Sequence, residues 1–112
     1  MENPKFELFK SSANSQYYFH LKAVNGKITL NSEGYIAKQS CKDGIASVKQ
    51  NAPDEQRYER RQNNNGSYTF VLKARNGEII GRSQRYTSPA SRDTGIDSVK
   101  EDAPNATIDD LS

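Results

Sequence analysis

The chain repeats one pattern twice. The stretch "LKAVNGKI" at residues 21–28 returns as "LKARNGEI" at residues 72–79, and "GIASVKQNAP" at 44–53 returns as "GIDSVKEDAP" at 95–104. A single shift of 51 residues, which is 72 minus 21, aligns both pairs. Self-similarity at a fixed spacing indicates that a chain is built from copies of one supersecondary unit. The repeat therefore constrains the fold more than any single motif does.

The size of the chain limits how independent the two copies can be. The chain has 112 residues, of which 33% are hydrophobic, and it contains no tryptophan, so its core is small. A unit of three strands and one short helix buries too little apolar surface to be stable alone. We predict a single domain, residues 1–112, whose two repeats, at about 5–55 and about 56–112, share one core.

Each repeat contains a strand pattern that is followed by Asn-Gly. In "YYFHLKAV" the core positions Tyr17, Phe19 and Leu21 alternate with outward positions, and "YTFVLKAR" alternates likewise, as half-buried strands do. Asn-Gly after each strand predicts a two-residue type I′ hairpin, in which both central residues take positive φ. Because "FELFK" and "YERRQ" precede these strands, each repeat is predicted to begin as three antiparallel strands.

The end of each repeat has the spacing of a helix. One stripe of side chains recurs every three or four residues in each copy: Cys41, Ile45, Val48 and Ala52 in the first, and Arg92, Ile96, Val99 and Ala103 in the second. A helix with one apolar stripe packs on an apolar surface, which the core side of the strands supplies. We therefore predict an α+β fold: two strand-strand-strand-helix(-strand) repeats, related by a pseudo-twofold axis, form one antiparallel sheet with both helices on one face.

Local signals mark the ends of these helices. Ser40 and Ser91 are the predicted N-caps, since serine hydroxyls accept hydrogen bonds from free backbone N–H groups. Pro53 and Pro104 are predicted to end the helices because proline cannot continue them. The glycine that opens each "GI.SVK" segment is unfavourable inside a helix. Its repetition predicts a close contact between helix and sheet, where a Cβ atom would not fit.

The order of these motifs resembles a known family. Asn-Gly, then a tyrosine at Tyr35 or Tyr86, then "GI.SVK..AP" is similar to the YegP-like family of small bacterial proteins, a domain of unknown function with one or two such units. The resemblance implies that the copies form one sheet and exchange their last strands. It makes "TIDDL" at 107–111 a closing strand, and "QRYERR" at 56–61 the end of the first unit and the start of the second. It supplies no catalytic residues.

No constellation in the sequence points to catalysis or to a metal. His20 is the single histidine, whereas a zinc site needs three or four converging ligands. Cys41 lies in a first helical turn, where the dipole could lower a thiol pKa, but a packing role is favoured because no histidine can be placed beside it. Nucleophile-elbow and Gly-rich phosphate motifs are missing. We expect no catalytic residue, no metal or cofactor, no small-molecule substrate and no enzyme activity.

The sheet face away from the helices is the candidate binding face. Its predicted members combine aromatic and basic side chains, namely Tyr18, His20, Lys22, Arg61, Lys73, Arg75 and Arg82, with Phe9, Val24, Val71 and Ile80 among them. Such a mixture is typical of protein interfaces and of single-stranded nucleic-acid platforms. Basic stems can also simply cover a solvated sheet. We predict a protein-interaction or self-association module, with weak single-stranded nucleic-acid binding as the alternative, because a net charge of +2 disfavours strong phosphate binding.

The sequence also bears on location. It contains no apolar run of the roughly 18 residues that a membrane helix needs, and its first ten residues lack the apolar centre of a secretory signal. Its single cysteine cannot form an internal disulfide. We predict a cytoplasmic protein without a membrane partner.

Overall fold

The two similar halves of the chain fold into a seven-stranded sheet and two helices. This description comes from a computed structural model of residues 3–112, so residues 1 and 2 of the predicted domain lie outside the described residues. The elements in chain order are β1 (Lys5–Lys10), β2 (Tyr17–Lys22), β3 (Ile28–Asn31), α1 (Lys38–Asn51), β4 (Tyr58–Gln62), β5 (Tyr68–Lys73), β6 (Ile79–Arg82), α2 (Pro89–Asp102) and β7 (Thr107–Asp110). Short 3-10 turns at Glu55–Arg57 and Ala103–Asn105 precede β4 and β7.

The strand order confirms the predicted fold and adds one detail. The order is β4-β5-β6-β3-β2-β1-β7, so the repeats meet where β3 pairs with β6, at the Asn31 and Arg82 pair. Neighbouring strands are antiparallel except for β7, which runs parallel to β1 and pairs Phe6 with Ile108. The predicted closing strand "TIDDL" is therefore confirmed. The sheet is mixed because the chain crosses from β6 through α2 to the far edge before β7 begins.

The Asn-Gly hairpins form, but with a different turn from the predicted one. Gly26 and Gly77 have φ of +82° and +87°, whereas neither Asn25 nor Asn76 has positive φ, so the type I′ assignment is wrong. In the first hairpin the Gly26 N–H donates to the Ala23 carbonyl, and the Ala23 N–H donates to the Lys27 carbonyl. This pattern is the three-residue loop that ends in a left-handed glycine.

Both helices begin earlier than predicted. The residues before the first turns are Ala37 and Ser88, so the N-cap assignment to Ser40 and Ser91 is wrong. The Ser88 hydroxyl accepts a hydrogen bond from the Ser91 N–H at 3.1 Å, whereas Ala37 has no side chain that could do so. The predicted ends are confirmed, because α1 stops at Asn51 and α2 at Asp102, each shortly before a proline.

A tyrosine packs on the glycine of each helix. A Cβ atom on Gly44 would lie 2.4 Å from the Tyr35 hydroxyl, and one on Gly95 would lie 2.3 Å from the Tyr86 hydroxyl. The predicted close contact is confirmed, and its main partner is the tyrosine that follows the third strand of the repeat. The tyrosine and the glycine recur together in the sequence because each phenol ring needs a helix surface without a side chain.

The core is continuous across both repeats. Its fully buried side chains include Phe6, Leu8, Phe19, Leu21, Leu30, Ile45, Phe70, Leu72, Ile96 and Val99. Ile80 also belongs to this cluster, so its predicted place on the open face is wrong. A Cβ atom on Gly81 would lie 2.5 Å from Leu30, the residue at the equivalent position of the first repeat. One leucine fills the space between the repeats, and a second would not fit. Within residues 3–112 no helix has the length and apolar character to cross a membrane.

Candidate binding face of the sheet

Strand alternation brings most of the predicted residues to the face opposite the helices. The registers pair Glu7 with His20, Phe9 with Tyr18, and Glu59 with Val71, and these positions alternate with core positions. The predicted residues Tyr18, His20, Lys22, Arg61, Lys73 and Arg82 share this face, which we call the open face. Arg75 does not. It follows the end of β5 and lines a cavity with Gln50 and Asn51 of α1, so its assignment to the open face is wrong.

Three basic side chains of the first repeat contact the carboxylate of Glu7. Its Oε1 atom lies 2.6 Å from the His20 Nε2 atom and 3.3 Å from the Lys22 Nζ atom. The Lys5 Nζ atom lies 3.6 Å from the other carboxylate oxygen, and only 11% of the Glu7 side chain is exposed. The hydrogen bond to His20 lowers the pKa of Glu7, with a further contribution from Lys22, although burial opposes the shift. His20 is therefore engaged with a carboxylate.

Glu59 has the same role in the second repeat. Its Oε1 atom accepts a hydrogen bond from the Lys73 Nζ atom at 2.9 Å, and its Oε2 atom accepts one from the Arg61 Nε atom at 2.5 Å. These bonds, that from Lys73 first, lower the pKa of Glu59. Glu7 and Glu59 occupy equivalent positions, and so do Lys22 and Lys73. The repeated lysines thus have repeated ion-pair partners, which the sequence interpretation missed.

Arg82 also has an acidic partner. Its Nη2 atom donates a hydrogen bond of 2.8 Å to the Glu33 Oε1 atom. Ion pairs between exposed side chains contribute little to stability, but they reduce the positive potential of the surface. The bases of the open face are therefore largely compensated by carboxylates.

The aromatic side chains lie in the half of the open face that belongs to the first repeat. The rings of Phe9 and Tyr18 stack with centroids 5.9 Å apart and an interplanar angle of 17°, and the His20 ring lies 5.3 Å from Phe9. The Tyr18 hydroxyl accepts a hydrogen bond from Asn14 Nδ2 at 2.8 Å. All three rings are partly exposed. We call Phe9, Tyr18 and His20 the aromatic half. The equivalent positions of the second repeat hold Arg61, Thr69 and Val71.

The thiol of Cys41, the single cysteine, packs in the core. Cys41 is fully buried in the core, as its predicted packing role requires, and burial, followed by the charge of Asp110, raises the pKa of its thiol to about 11. A thiol with a raised pKa is a poor nucleophile at neutral pH. Among residues 3–112 no group of three or more His, Cys, Asp and Glu side chains is arranged to hold a metal ion.

Comparison with known proteins agrees with the repeat. The profile of a family described as "Domain of unknown function (DUF1508)" matches the chain twice, at residues 12–59 and 63–110. UPF0339 protein YegP of Escherichia coli strain K12 is 51% identical over 105 residues, which are 94% of each chain. The UPF0339 protein in the ptx operon 5′ region of Stutzerimonas stutzeri is 48% identical over 103 residues, which are 92% of each chain.

Solved structures show the same fold. The solution NMR structure of UPF0339 protein SO3888 from Shewanella oneidensis has a TM-score of 0.91 and 47% identity, over 98% of this chain and 92% of that one. The solution NMR structure of the protein of unknown function yegP from E. coli has a TM-score of 0.91 and 48% identity, over 99% of this chain and 95% of that one. The chain is therefore a two-repeat member of the YegP-like DUF1508 family.

Proposed function

We propose that the chain is a non-enzymatic interaction module that binds a protein through the aromatic half of its open face. The observation that carries this proposal is the stacked pair of Phe9 and Tyr18. Both rings are partly exposed on the sheet face opposite α1 and α2. Aromatic side chains are enriched in protein interfaces and supply much of their binding energy.

The surroundings of the rings support a protein partner. Glu7, Lys22 and His20 form a compensated ion-pair group beside the stacked rings of Phe9 and Tyr18. Asn14 lies at the edge of the rings, where its side chain donates a hydrogen bond to the Tyr18 hydroxyl. An apolar centre with a polar rim is the common arrangement of protein interfaces. A second copy of the chain is one candidate partner, and another bacterial protein is the other. We keep the cytoplasm as the predicted compartment.

Weak single-stranded nucleic-acid binding is the second candidate function. The Phe9 and Tyr18 rings favour it, because nucleic-acid bases stack on aromatic side chains. The carboxylates of the open face oppose it. Lys22, Lys73 and Arg82 each pair with a glutamate, and those glutamates would repel the phosphates that a nucleic acid brings. The protein partner is therefore the first candidate.

The test compares the two halves of the open face. The double variant Phe9→Thr and Tyr18→Thr, which we call the ring variant, removes both rings and places a strand-forming threonine at each position. The control pair Arg61→Thr and Thr69→Ser alters equivalent positions of the second repeat. We expect nuclease-treated cell extract to yield a protein that binds the wild-type chain and the control but not the ring variant. Concentration-dependent light scattering of the purified chains examines self-association with the same variants. The proposal would be contradicted if the ring variant kept both the extract partner and the self-association of the wild-type chain. It would also be contradicted if the wild-type chain showed neither interaction.

A salt series distinguishes the second candidate. A fluorescent single-stranded oligonucleotide is titrated with the wild-type chain at rising salt concentration. Binding that weakens steeply with salt and disappears in the ring variant would favour nucleic acid and overturn the protein proposal, since phosphate contacts release counterions. We expect no saturable binding even at low salt.

A further inference from the structure

A groove lies on the helix side of the sheet, away from the open face. It runs between the β2–β3 hairpin and α2 and consists of two adjoining cavities of about 470 Å³ and 370 Å³. Lys27, Thr29 and Tyr86 line both cavities, Arg85 lines the first, and Thr94 lines the second. Sites for small molecules commonly have volumes of about 300 to 1,000 Å³. The groove is large enough for a small metabolite.

The charges of this groove are uncompensated. Lys27 and Arg85 form no ion pair with any residue in the described part of the chain, and neither cavity is lined by an aspartate or a glutamate. The open face is different, because Lys22, Lys73 and Arg82 each have a carboxylate partner there. Two cations at one concave surface without an anion attract an anionic ligand.

The hydroxyl group of Tyr86 is also free to bind. It lies over Gly95 and has no hydrogen-bond partner among residues 3–112. Tyr86 lines both cavities. Burial raises the pKa of Tyr86 above its ordinary value of 10.0, so the phenol is protonated at neutral pH and can donate a hydrogen bond. Thr29 adds a second hydroxyl to the same lining, although the residue is largely buried. This hydroxyl donates to the Leu21 carbonyl at 3.4 Å, so its oxygen is left to accept a hydrogen bond.

The equivalent surface of the other repeat has the opposite charge. Applying the shift of 51 residues, Lys27 corresponds to Glu78, Thr94 to Asp43, Gln84 to Glu33 and Arg85 to Gly34. Burial raises the pKa of Tyr35, and the negative charges of Glu33 and Glu78 raise it further, whereas burial alone raises the pKa of Tyr86. The positive charge of the groove is therefore not a consequence of the repeated fold.

We propose that this groove binds a small phosphorylated polyol, such as a sugar phosphate. Lys27 and Arg85 take the phosphoryl group, since charge-assisted bonds to two bases hold a phosphate better than either base alone. The Tyr86 hydroxyl donates a hydrogen bond to a hydroxyl oxygen of the polyol, and the Thr29 oxygen accepts one from a polyol hydroxyl. The site is separate from the aromatic half, so it stands independently of the proposed protein interaction.

The test is a titration of the ¹⁵N-labelled chain followed by NMR. Glucose 6-phosphate, inorganic phosphate and glucose are the three probes. We expect saturable shifts of the amides of Lys27, Arg85 and Tyr86 with both phosphates, tighter binding of glucose 6-phosphate than of phosphate, and no saturable shift with glucose. Equal affinity for the two phosphates would overturn polyol recognition. Shifts distributed over bases throughout the chain, or no saturation, would overturn the site.

A charge-matched control separates the groove from general electrostatic attraction. The variant pair Lys27→Ala and Arg85→Ala should weaken glucose 6-phosphate binding about tenfold or more, because two charge-assisted contacts are lost. The control pair Lys42→Ala and Arg75→Ala removes the same charge from two exposed bases outside the groove and should leave the affinity unchanged. All four side chains are exposed, so both variants should keep the dispersed spectrum of the folded chain. Equal weakening by both pairs would contradict the proposal.

Discussion

The outer strands of the two repeats, β1 and β4, occupy equivalent positions but differ in what covers them. Leu8 of β1 pairs with Phe19 and Arg60 of β4 pairs with Phe70, so Leu8 and Arg60 are counterparts. Leu8 is fully buried, because β7 lies along β1 and the Leu111 N–H donates to the Leu8 carbonyl at 2.8 Å. No described strand lies along the outer side of β4.

Arg60 is suited to this uncovered edge. Its Nη1 atom lies 2.6 Å from Glu55, and its Nε atom lies 3.0 Å from Asp93 of α2. The hydrogen bonds from Arg60 and then from Lys100 lower the pKa of Glu55 to about 2. Charged side chains on an edge strand discourage pairing with another chain. The repeats therefore share a core, while the presence or absence of a neighbouring strand decides whether an outer position is apolar or charged.

Exchanging the two counterparts gives the largest expected effect. Leu8→Arg forces a charged side chain into a fully buried core position and should destabilise the fold by more than about 4 kcal/mol. Arg60→Leu should change stability by less than about 1 kcal/mol, because it removes only partly exposed ion pairs. Chemical denaturation measures both. Similar losses in the two variants would contradict the assigned difference between the edges.

Truncating the helix stripes tests what the repeats have in common. Ile45 and Ile96 are counterparts and both are fully buried. Ile45→Ala and Ile96→Ala should each destabilise the whole domain by roughly 2 to 5 kcal/mol through lost contacts and cavity formation. Thermal unfolding monitored by tyrosine fluorescence and by circular dichroism should remain one transition. A variant in which only part of the signal shifted would contradict the shared core.

The glycines of the hairpins should give a smaller and equal effect. Gly26 and Gly77 have left-handed backbones, and the space around their Cβ positions is open. Gly26→Val and Gly77→Val should therefore destabilise by more than about 1 kcal/mol through backbone strain alone, since β-branched residues avoid positive φ. Gly→Asn at the same positions is the control, because asparagine tolerates this conformation better. Unchanged melting temperatures of both valine variants would refute the turn geometry.

Substitution of the repeated lysines should give the smallest change in stability. The change should differ between the two halves of the open face. Lys73→Ala should change stability by less than about 0.5 kcal/mol, because Glu59 is well exposed. Lys22→Ala should cost more, up to about 1 kcal/mol, because Glu7 is largely shielded. The hydrogen bond with His20, and then the contact with Lys22, lower the pKa of Glu7 below its ordinary value of 4.5. The contribution of Lys22 is therefore present above about pH 4.5 and is lost as the pH falls further. A Lys22 effect that persisted in full at pH 2 would contradict the pairing.

The sequence predicted those features that depend on local periodicity. The helix stripes, the Asn-Gly reversals and the strand alternation each repeat, and an independent second copy of a pattern makes chance agreement improbable. Alternation failed at Ile80, because the β5–β6 pairing contains an irregularity between Leu72 and Lys73 that shifts the register. It failed at Arg75 because β5 ends at Lys73, after which the pleat no longer determines the direction of side chains.

Contacts between distant segments could not be predicted in the same way. Glu7 and Glu59 stand at outward positions of "FELFK" and "YERRQ", so alternation would have placed them on the open face, but their lysine partners depend on the strand register. The charge of the groove depends on the contact of the first hairpin with α2 of the second repeat. No local pattern in the sequence encodes that contact.

Native-state hydrogen exchange tests the shared core most directly. Leu21 and Leu72 are counterparts in the central strands β2 and β5, and both side chains are fully buried. If the repeats form one cooperative core, the amides of these strands exchange only through global unfolding, with free energies equal within about 0.5 kcal/mol. A free energy lower by several kcal/mol in one of the two strands would mean that its repeat unfolds separately, which would contradict the shared core.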